Sequence, residues 1–361
     1  MILKAEKQKS IYSGAVAFLL SVAASALTVV GLMIVPALLS CASAGFFVLT
    51  LMMSPTSGRK LCIIIPVASA ICAVVISSFS IPHGILTLAW FAAGYVIARA
   101  AERGTGKTGA VIRADAVFAL FFAAAFLVSF FISYKTVAPS AIAETVGSVV
   151  ESVKAETIKT LEEMNVYELL SSVIDISAYS KETFLNSIVE EAFFFGEIIS
   201  PAVIITLLNL FSYGVTAFFL LARRITRAET VGEYEKWRLM PTFFTSWLAV
   251  SSMMVYILMT LLSRISNSAT VEVISYVVLN LVIILVPPMF ICGVRGLAGK
   301  FRSPRFRGSA ILITVIAVGA VVFLPIYGFF YGVMFVALQG AWDMILFYKL
   351  QKIRNREDND A

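Results

Sequence analysis

Histidine occurs once and cysteine four times in 361 residues, and charged side chains make up only 14% of the chain. Cys41, Cys62, Cys72 and Cys292 are scattered through apolar stretches without CxxC spacing, which argues against a disulfide framework or a metal centre. His83 has no second histidine to complete a ligand set and reads as a turn residue beside Pro82. No nucleophile–base pair stands out, so no catalytic residue, metal or cofactor is assigned and no enzymatic activity is expected. Residues 103–109 read RGTGKTG, but the glycine that a phosphate loop needs five positions before Gly106 is Ala101. The scarcity of charge reaches furthest. Soluble domains carry about 25% charged and 45–50% apolar residues, whereas this chain is 60% apolar with a mean hydropathy of +0.92. Polar surface is too scarce to cover a core in water.

What is present is a series of charge-free runs: 11–58, 61–98, 116–134, 198–222, 239–263, 273–294 and 308–342. A bilayer core of roughly 30 Å takes about 20 helical residues. The first two runs hold two spans each, broken near Gly31 and Pro36 and at Pro82-His83-Gly84. The segment 192–222 makes one long helix, and the last run folds back near Pro325 into two spans that extend past Asp343. The sum predicts an all-α membrane protein with a bundle of ten transmembrane helices. The first span is too long for a signal-peptide core, so it is expected to stay uncleaved.

Loop charge sets the orientation. With the N-terminus inside, 23 of the 28 Lys and Arg residues fall in cytoplasmic loops or tails; only Lys135, Lys154, Lys159, Lys181 and Arg264 fall outside. Both termini are therefore expected in the cytoplasm of a bacterial cell, with the protein in its plasma membrane. The net charge of +6 comes from this asymmetry and faces anionic headgroups, so no nucleic acid is expected as a partner. The organisation reads as an N-terminal bundle (1–135), an acidic outer segment (136–191), a C-terminal bundle (192–350) and a charged tail (351–361).

The outer segment carries ten acids, Asp175 among them, against three lysines. Apolar residues recur at helical spacing (Val150, Val153, Ile158, Leu161; Leu169, Val173, Ile176; Leu185, Ile188, Val189), which predicts two or three amphipathic helices. They pack as an extracytoplasmic cap or lie on the bilayer surface, and their acidity favours the cap, since surface helices are usually basic.

Three patterns within the spans carry functional readings. Ser13, Ala17, Ser21 and Ser25 form a stripe of small residues suited to close helix packing, within the chain or against a partner protein. Glu197, Asn209, Asn280, Gln339 and Asp343 are polar groups inside spans and the candidates to line a cavity for a small solute or ion. Glu197 and Asp343 also lie near span ends, where headgroups or basic side chains are within reach. Pro201, Pro287 and Pro288 are expected to kink or break their helices, as in many transport sites and in simple packing kinks.

Short motifs carry a resemblance. Ala93-Gly94-Tyr95…Arg99…Arg103-Gly104, Arg223-Arg224 with Trp237-Arg238-Leu239…Pro241, and Gly340-Ala341-Trp342-Asp343 are similar to the YybS-like family of bacterial multi-pass membrane proteins, a domain family of unknown function. The first five or six spans also resemble the substrate-binding S components of energy-coupling factor transporters. That likeness implies a vitamin- or metal-capturing subunit that docks through small residues such as Ser13, Ala17 and Ser21. Two readings follow: a transport-related protein with a solute in a polar cavity, or a structural or interaction protein of the cell envelope without one.

Overall fold

The computed structural model describes residues 2–29, 34–53, 55–171, 180–226, 241–263, 265, 268–323 and 328–360. Among these the chain forms twelve helices and no strand: α1 (Ile2–Val29), α2 (Ile34–Met53), α3 (Pro55–Ile76), α4 (Ile81–Glu102), α5 (Lys107–Tyr134), α6 (Pro139–Glu163), α7 (Val166–Ser171), α8 (Lys181–Thr226), α9 (Phe243–Ser263), α10 (Ala269–Arg302), α11 (Arg307–Phe323) and α12 (Gly328–Asp360). Seven are long and apolar enough to cross a membrane: α2, α4, α5, α8, α9, α10 and, within α12, Phe330–Ile353. Shorter apolar helices run over Tyr12–Leu27, Lys60–Ile76 and Arg307–Ala320. A chain with so many membrane-length helices is a multi-pass membrane protein. Gly31, Val173, Asp175, Ile176, Trp237, Arg238, Leu239, Arg264 and Pro325, named above, lie outside the described residues.

By its contacts the chain divides into two compact units. The first joins Met1–Phe193 to Leu207–Leu239, and the second joins Phe194–Thr206 to Met240–Ala361. The core of the first is aromatic. Phe47 meets Phe91 edge-on at 5.1 Å, and Trp90 stands between Phe118 and Phe211 at 4.9 and 5.0 Å. Edge-to-face pairs of this kind add about 0.5–1.5 kcal/mol each beyond simple burial. Small residues set the helix spacing. A Cβ at Gly45 of α2 would come within 2.6 Å of the Phe219 backbone nitrogen in α8. The turn between α3 and α4 falls at Ser77–Ser80, with Ser78 and Phe79 in left-handed backbone (φ 56° and 66°). Pro82-His83-Gly84, expected at the turn itself, lie in the first helical turn of α4. Proline is suited to that place because the first turn has no intrahelical acceptor for its missing N–H.

The second unit packs on smaller, more flexible side chains. Met253 of α9, Val282 and Met289 of α10, and Met334, Ala337 and Ala341 of α12 form its largest buried cluster. Two α12–α10 approaches are tighter than any side chain would permit. A Cβ on Gly340 would strike the Met289 carbonyl and the Gly293 backbone, and one on Gly293 would strike the Val336 carbonyl.

In the segment 136–191, α6 and α7 bury no residue, while Leu185 and Val189 of α8 are buried. The Lys154 ammonium of α6 donates to both Glu190 oxygens of α8, each at 3.0 Å, and to Glu151 at 3.2 Å. Glu190 first, and Glu151 with it, hold this lysine above its ordinary pKa. Lys181 likewise donates to Glu168 at 2.8 Å, linking α8 to α7. That bond holds the Glu168 carboxyl below its usual range and Lys181 above its own. The pair's stabilisation is therefore full between the ordinary carboxylate and ammonium ranges. Acidification removes it as Glu168 protonates at its depressed folded pKa, and strong alkali removes it as Lys181 loses its proton. A carboxyl-carbon NMR titration should place the Glu168 midpoint below that of a free glutamate, and Lys181→Ala should return it to the ordinary range. The global melting point should hardly move, because both partners are solvent-exposed.

Candidate functional site

Polar groups inside the second unit gather at two places on α10. The first is its leading half. Glu272, Tyr276 and Asn280 stand four residues apart and so share one helix face. The Tyr276 hydroxyl donates to Glu272 at 2.7 Å, and its ring meets Phe194 of α8 edge-on. Asn280 Nδ2 donates to the Tyr276 carbonyl at 2.9 Å and, across to α8, to the Ile198 carbonyl at 3.1 Å. Its Oδ1 is buried and accepts no hydrogen bond among the described residues.

The prolines belong to the same seam. Both α8 and α10 run through them without a break, so of the kink or break expected from sequence the break does not occur. The reason is that the freed carbonyls find other donors. Pro201 has no N–H for the Glu197 carbonyl, and the Ser200 hydroxyl donates there at 2.9 Å. Pro287 likewise leaves the Ile283 carbonyl open, and Thr206 of α8 donates to it at 3.4 Å. Pro288 lies inside the same continuous helix.

The second place is the trailing end of α10. Lys300 Nζ binds both oxygens of Asp343 in α12 at 2.9 and 3.0 Å, and Gln339 Nε2 donates to the same carboxylate at 2.7 Å. Side-chain exposure of about a quarter (23% and 24%) leaves the pair partly desolvated. Gly296 makes room for it, since a Cβ there would come within 2.5 Å of Asp343 Oδ2.

Within the second unit, Asn280 therefore stands apart from Gln339 and Asp343. Asn280 and Gly296 are separated by 16 residues of continuous helix (296 − 280), or about 24 Å at the helical rise. Gln339 and Asp343 meet each other and Lys300, while Asn280 meets α8 through the Ile198 backbone. The Glu197 side chain is exposed; Asn209 is half-buried and belongs to the part of α8 grouped with the first unit. Ser13, Ala17, Ser21 and Ser25 are all buried within the first unit, where a Cβ on neighbouring Gly14 would come into ordinary contact with Ile65 of α3 and Thr50 of α2. Beside the stripe lies an open apolar groove bordered by Tyr12, Ser13, Val16, Phe46 and Thr226. Among the described residues no three His, Cys, Asp or Glu side chains gather as a metal site.

Sequence reasoning missed Lys300, Thr206 and Asp115. Lys300 sits in sequence among the basic residues of 295–307 and reads as a loop cation, although α10 extends through it. Thr206 is signalled only by its partner, a carbonyl four residues before a proline. Asp115 falls one residue before a charge-free run and so counts as a loop acid, although one of its oxygens is buried.

No protein-family model matches the chain, and no curated protein or solved structure matches it either.

Proposed function

We propose that this is a transport-related protein that holds a small solute or ion in the α8–α10 seam of the second unit, at Asn280. The observation that carries the reading is Asn280 Oδ1, a buried acceptor without a donor. An unmet acceptor costs about 1–3 kcal/mol, so a solute with an N–H or O–H donor, or a cation, is stabilised there. The Ile198 carbonyl beside it and the Tyr276–Glu272 pair one and two turns away supply further oxygen acceptors. Proline-bearing helices whose carbonyls are satisfied by side chains are the kind of backbone that lines transport sites.

The reading places the molecule in the bacterial plasma membrane. The seven long and three shorter apolar helices serve as ten spans, with both termini on the cytoplasmic, basic-loop side and the acidic segment as an outer cap. The motif resemblance to the YybS-like family accords with a multi-pass bacterial membrane protein. The competing reading, an interaction protein of the envelope, draws on α6, which buries no residue and exposes Val146, Val149 and Val153.

A thermal-shift screen of the detergent-solubilised protein separates the two. The probes are amino acids, vitamins, and sodium, potassium and magnesium chlorides. The solute reading expects at least one stabilising probe, whose effect Asn280→Leu removes while Glu197→Gln, altering an exposed side chain, retains it. No stabilising probe, or one indifferent to Asn280→Leu, overturns it; a membrane protein that co-purifies in mild detergent then supports the interaction reading.

A further inference from the structure

Positive charge is spread over many loops of the chain, but one basic stretch differs from the rest. The clusters at 4–9, 99–113 and 223–238 are interleaved with acids (Glu6; Glu102; Glu229, Glu233 and Glu235), and the cations of the tail run directly into Glu357 and Asp358. Arg99, for example, donates to Glu102 at 2.8 Å. Between Glu272 and Asp343 the sequence has no acid at all, yet Arg295, Lys300, Arg302, Arg305 and Arg307 fall there. Asp343 is the carboxylate that Lys300 holds. Four arginines remain, and all four side chains are exposed.

Local structure gathers them at one end of two helices. Arg295 and Arg302 are seven residues apart, so they share a face of α10, about 10 Å from each other along its axis. Ile291, one turn from Arg295 on that face, is exposed, and so is adjacent Val294. Exposed aliphatic side chains on a membrane-length helix face acyl chains, so Arg295 stands on the lipid side and extends its guanidinium to the phosphate level. Arg305 and Arg307 follow in a short turn into α11. The Phe306 N–H closes it by donating to the Ser303 carbonyl at 3.1 Å, and the Ala310 N–H donates to the Phe306 carbonyl at 3.2 Å. Arg305 stands over the Phe306 ring, 5.6 Å from its centroid. Phe301 and Phe306 expose apolar rings among the charges, as segments lying at a membrane interface do. The residue type is telling as well, since a guanidinium fork matches two phosphate oxygens where an ammonium is a point charge. We propose that the α10–α11 turn binds the phosphate of an anionic phospholipid through Arg295, Arg302, Arg305 and Arg307, with Phe301 and Phe306 against the glycerol and upper acyl region. The proposal needs a protein in lipid, but neither a solute at Asn280 nor a particular side of the membrane.

Native mass spectrometry of the detergent-solubilised protein tests it, because retained lipid is counted directly and either face of the molecule is accessible. Phosphatidylglycerol and phosphatidylcholine with identical acyl chains are titrated separately. The wild type should retain its first phosphatidylglycerol at a concentration at least about tenfold lower than its first phosphatidylcholine. Arg302→Gln/Arg305→Gln/Arg307→Gln should abolish that preference and leave phosphatidylcholine retention unchanged. The charge-matched triple in the tail, Lys349→Gln/Lys352→Gln/Arg354→Gln, should keep it. If the first triple does not fold, Arg295→Gln and Arg302→Gln are read singly, each expected to raise the phosphatidylglycerol concentration needed by about fivefold, the factor for one cation at a headgroup. Equal retention of the two lipids by the wild type overturns the proposal, as does a preference that survives every α10–α11 variant or is lost alike in both triples. Displacement of bound phosphatidylglycerol by millimolar inorganic phosphate overturns it too, by assigning the patch to a free anion.

Discussion

Gly340→Ala lowers the melting temperature of the solubilised protein by about 6–12 °C, or leaves no folded second unit to measure. A single methyl group has this effect because of what it would meet: the Met289 carbonyl and the backbone nitrogen and Cα of Gly293 in α10. A flexible side chain could swing away, but main chain inside a helix cannot. The two helices must separate, and Val282, Met289, Met334, Ala337 and Ala341 all pack in the core between α10, α12 and α9. Overpacking of this kind costs about 3 kcal/mol, and each kcal/mol moves the midpoint by about 2–4 °C for a unit of this size. Gly293→Ala should behave alike, since its Cβ meets the Val336 carbonyl. Gly299, also on α10, has nothing within 4 Å of the same position. Gly299→Ala should therefore melt with the wild type or slightly above it, because alanine favours a helix over glycine by up to about 1 kcal/mol. Equal melting of Gly340→Ala and Gly299→Ala would mean that α10 and α12 do not touch as described.

The second large effect is expected at Lys300 and Asp343. Lys300→Met strands a carboxylate whose remaining partner is Gln339, and Asp343→Asn strands the ammonium; each should cost about 1–3 kcal/mol. Exposure of about a quarter places the pair between the surface and fully buried cases. The double variant should be less destabilised than the sum of the two singles by about 1–2 kcal/mol, read from melting midpoints in a double-mutant cycle. Little of that coupling should disappear in added salt, because partly desolvated charges are poorly screened. Additive single effects would show that the two charges do not interact across α10 and α12.

Hydropathy made the helices legible. A run such as 116–134, free of charge and long enough to cross a bilayer, has few alternatives to a helix, and it falls inside α5. Periodicity in 136–191 likewise points to helices, and α6 and α7 occupy that segment. Contacts between helices were not legible, because they depend on which faces meet. Asp343 is visible as an acid within a span and Lys300 as a cation after one, but only the α10–α12 crossing joins them over 43 residues of sequence. The prolines were legible only in part for a related reason. Proline chemistry predicts a lost hydrogen bond and an open carbonyl, and both follow. Whether the helix stops depends on a donor elsewhere, and the Ser200 and Thr206 hydroxyls are those donors at Glu197 and Ile283.

The Lys300–Asp343 bridge also bears on biosynthesis. The ribosome delivers Lys300 well before its counter-ion, so a nascent chain that ends short of α12 has an ammonium at that level with no carboxylate to meet it. When the last helix arrives, its aspartate enters lipid at lower cost because the opposite charge already waits beside the path. Release of a truncated chain would leave that lysine exposed, a feature by which quality-control proteases could recognise an unfinished copy.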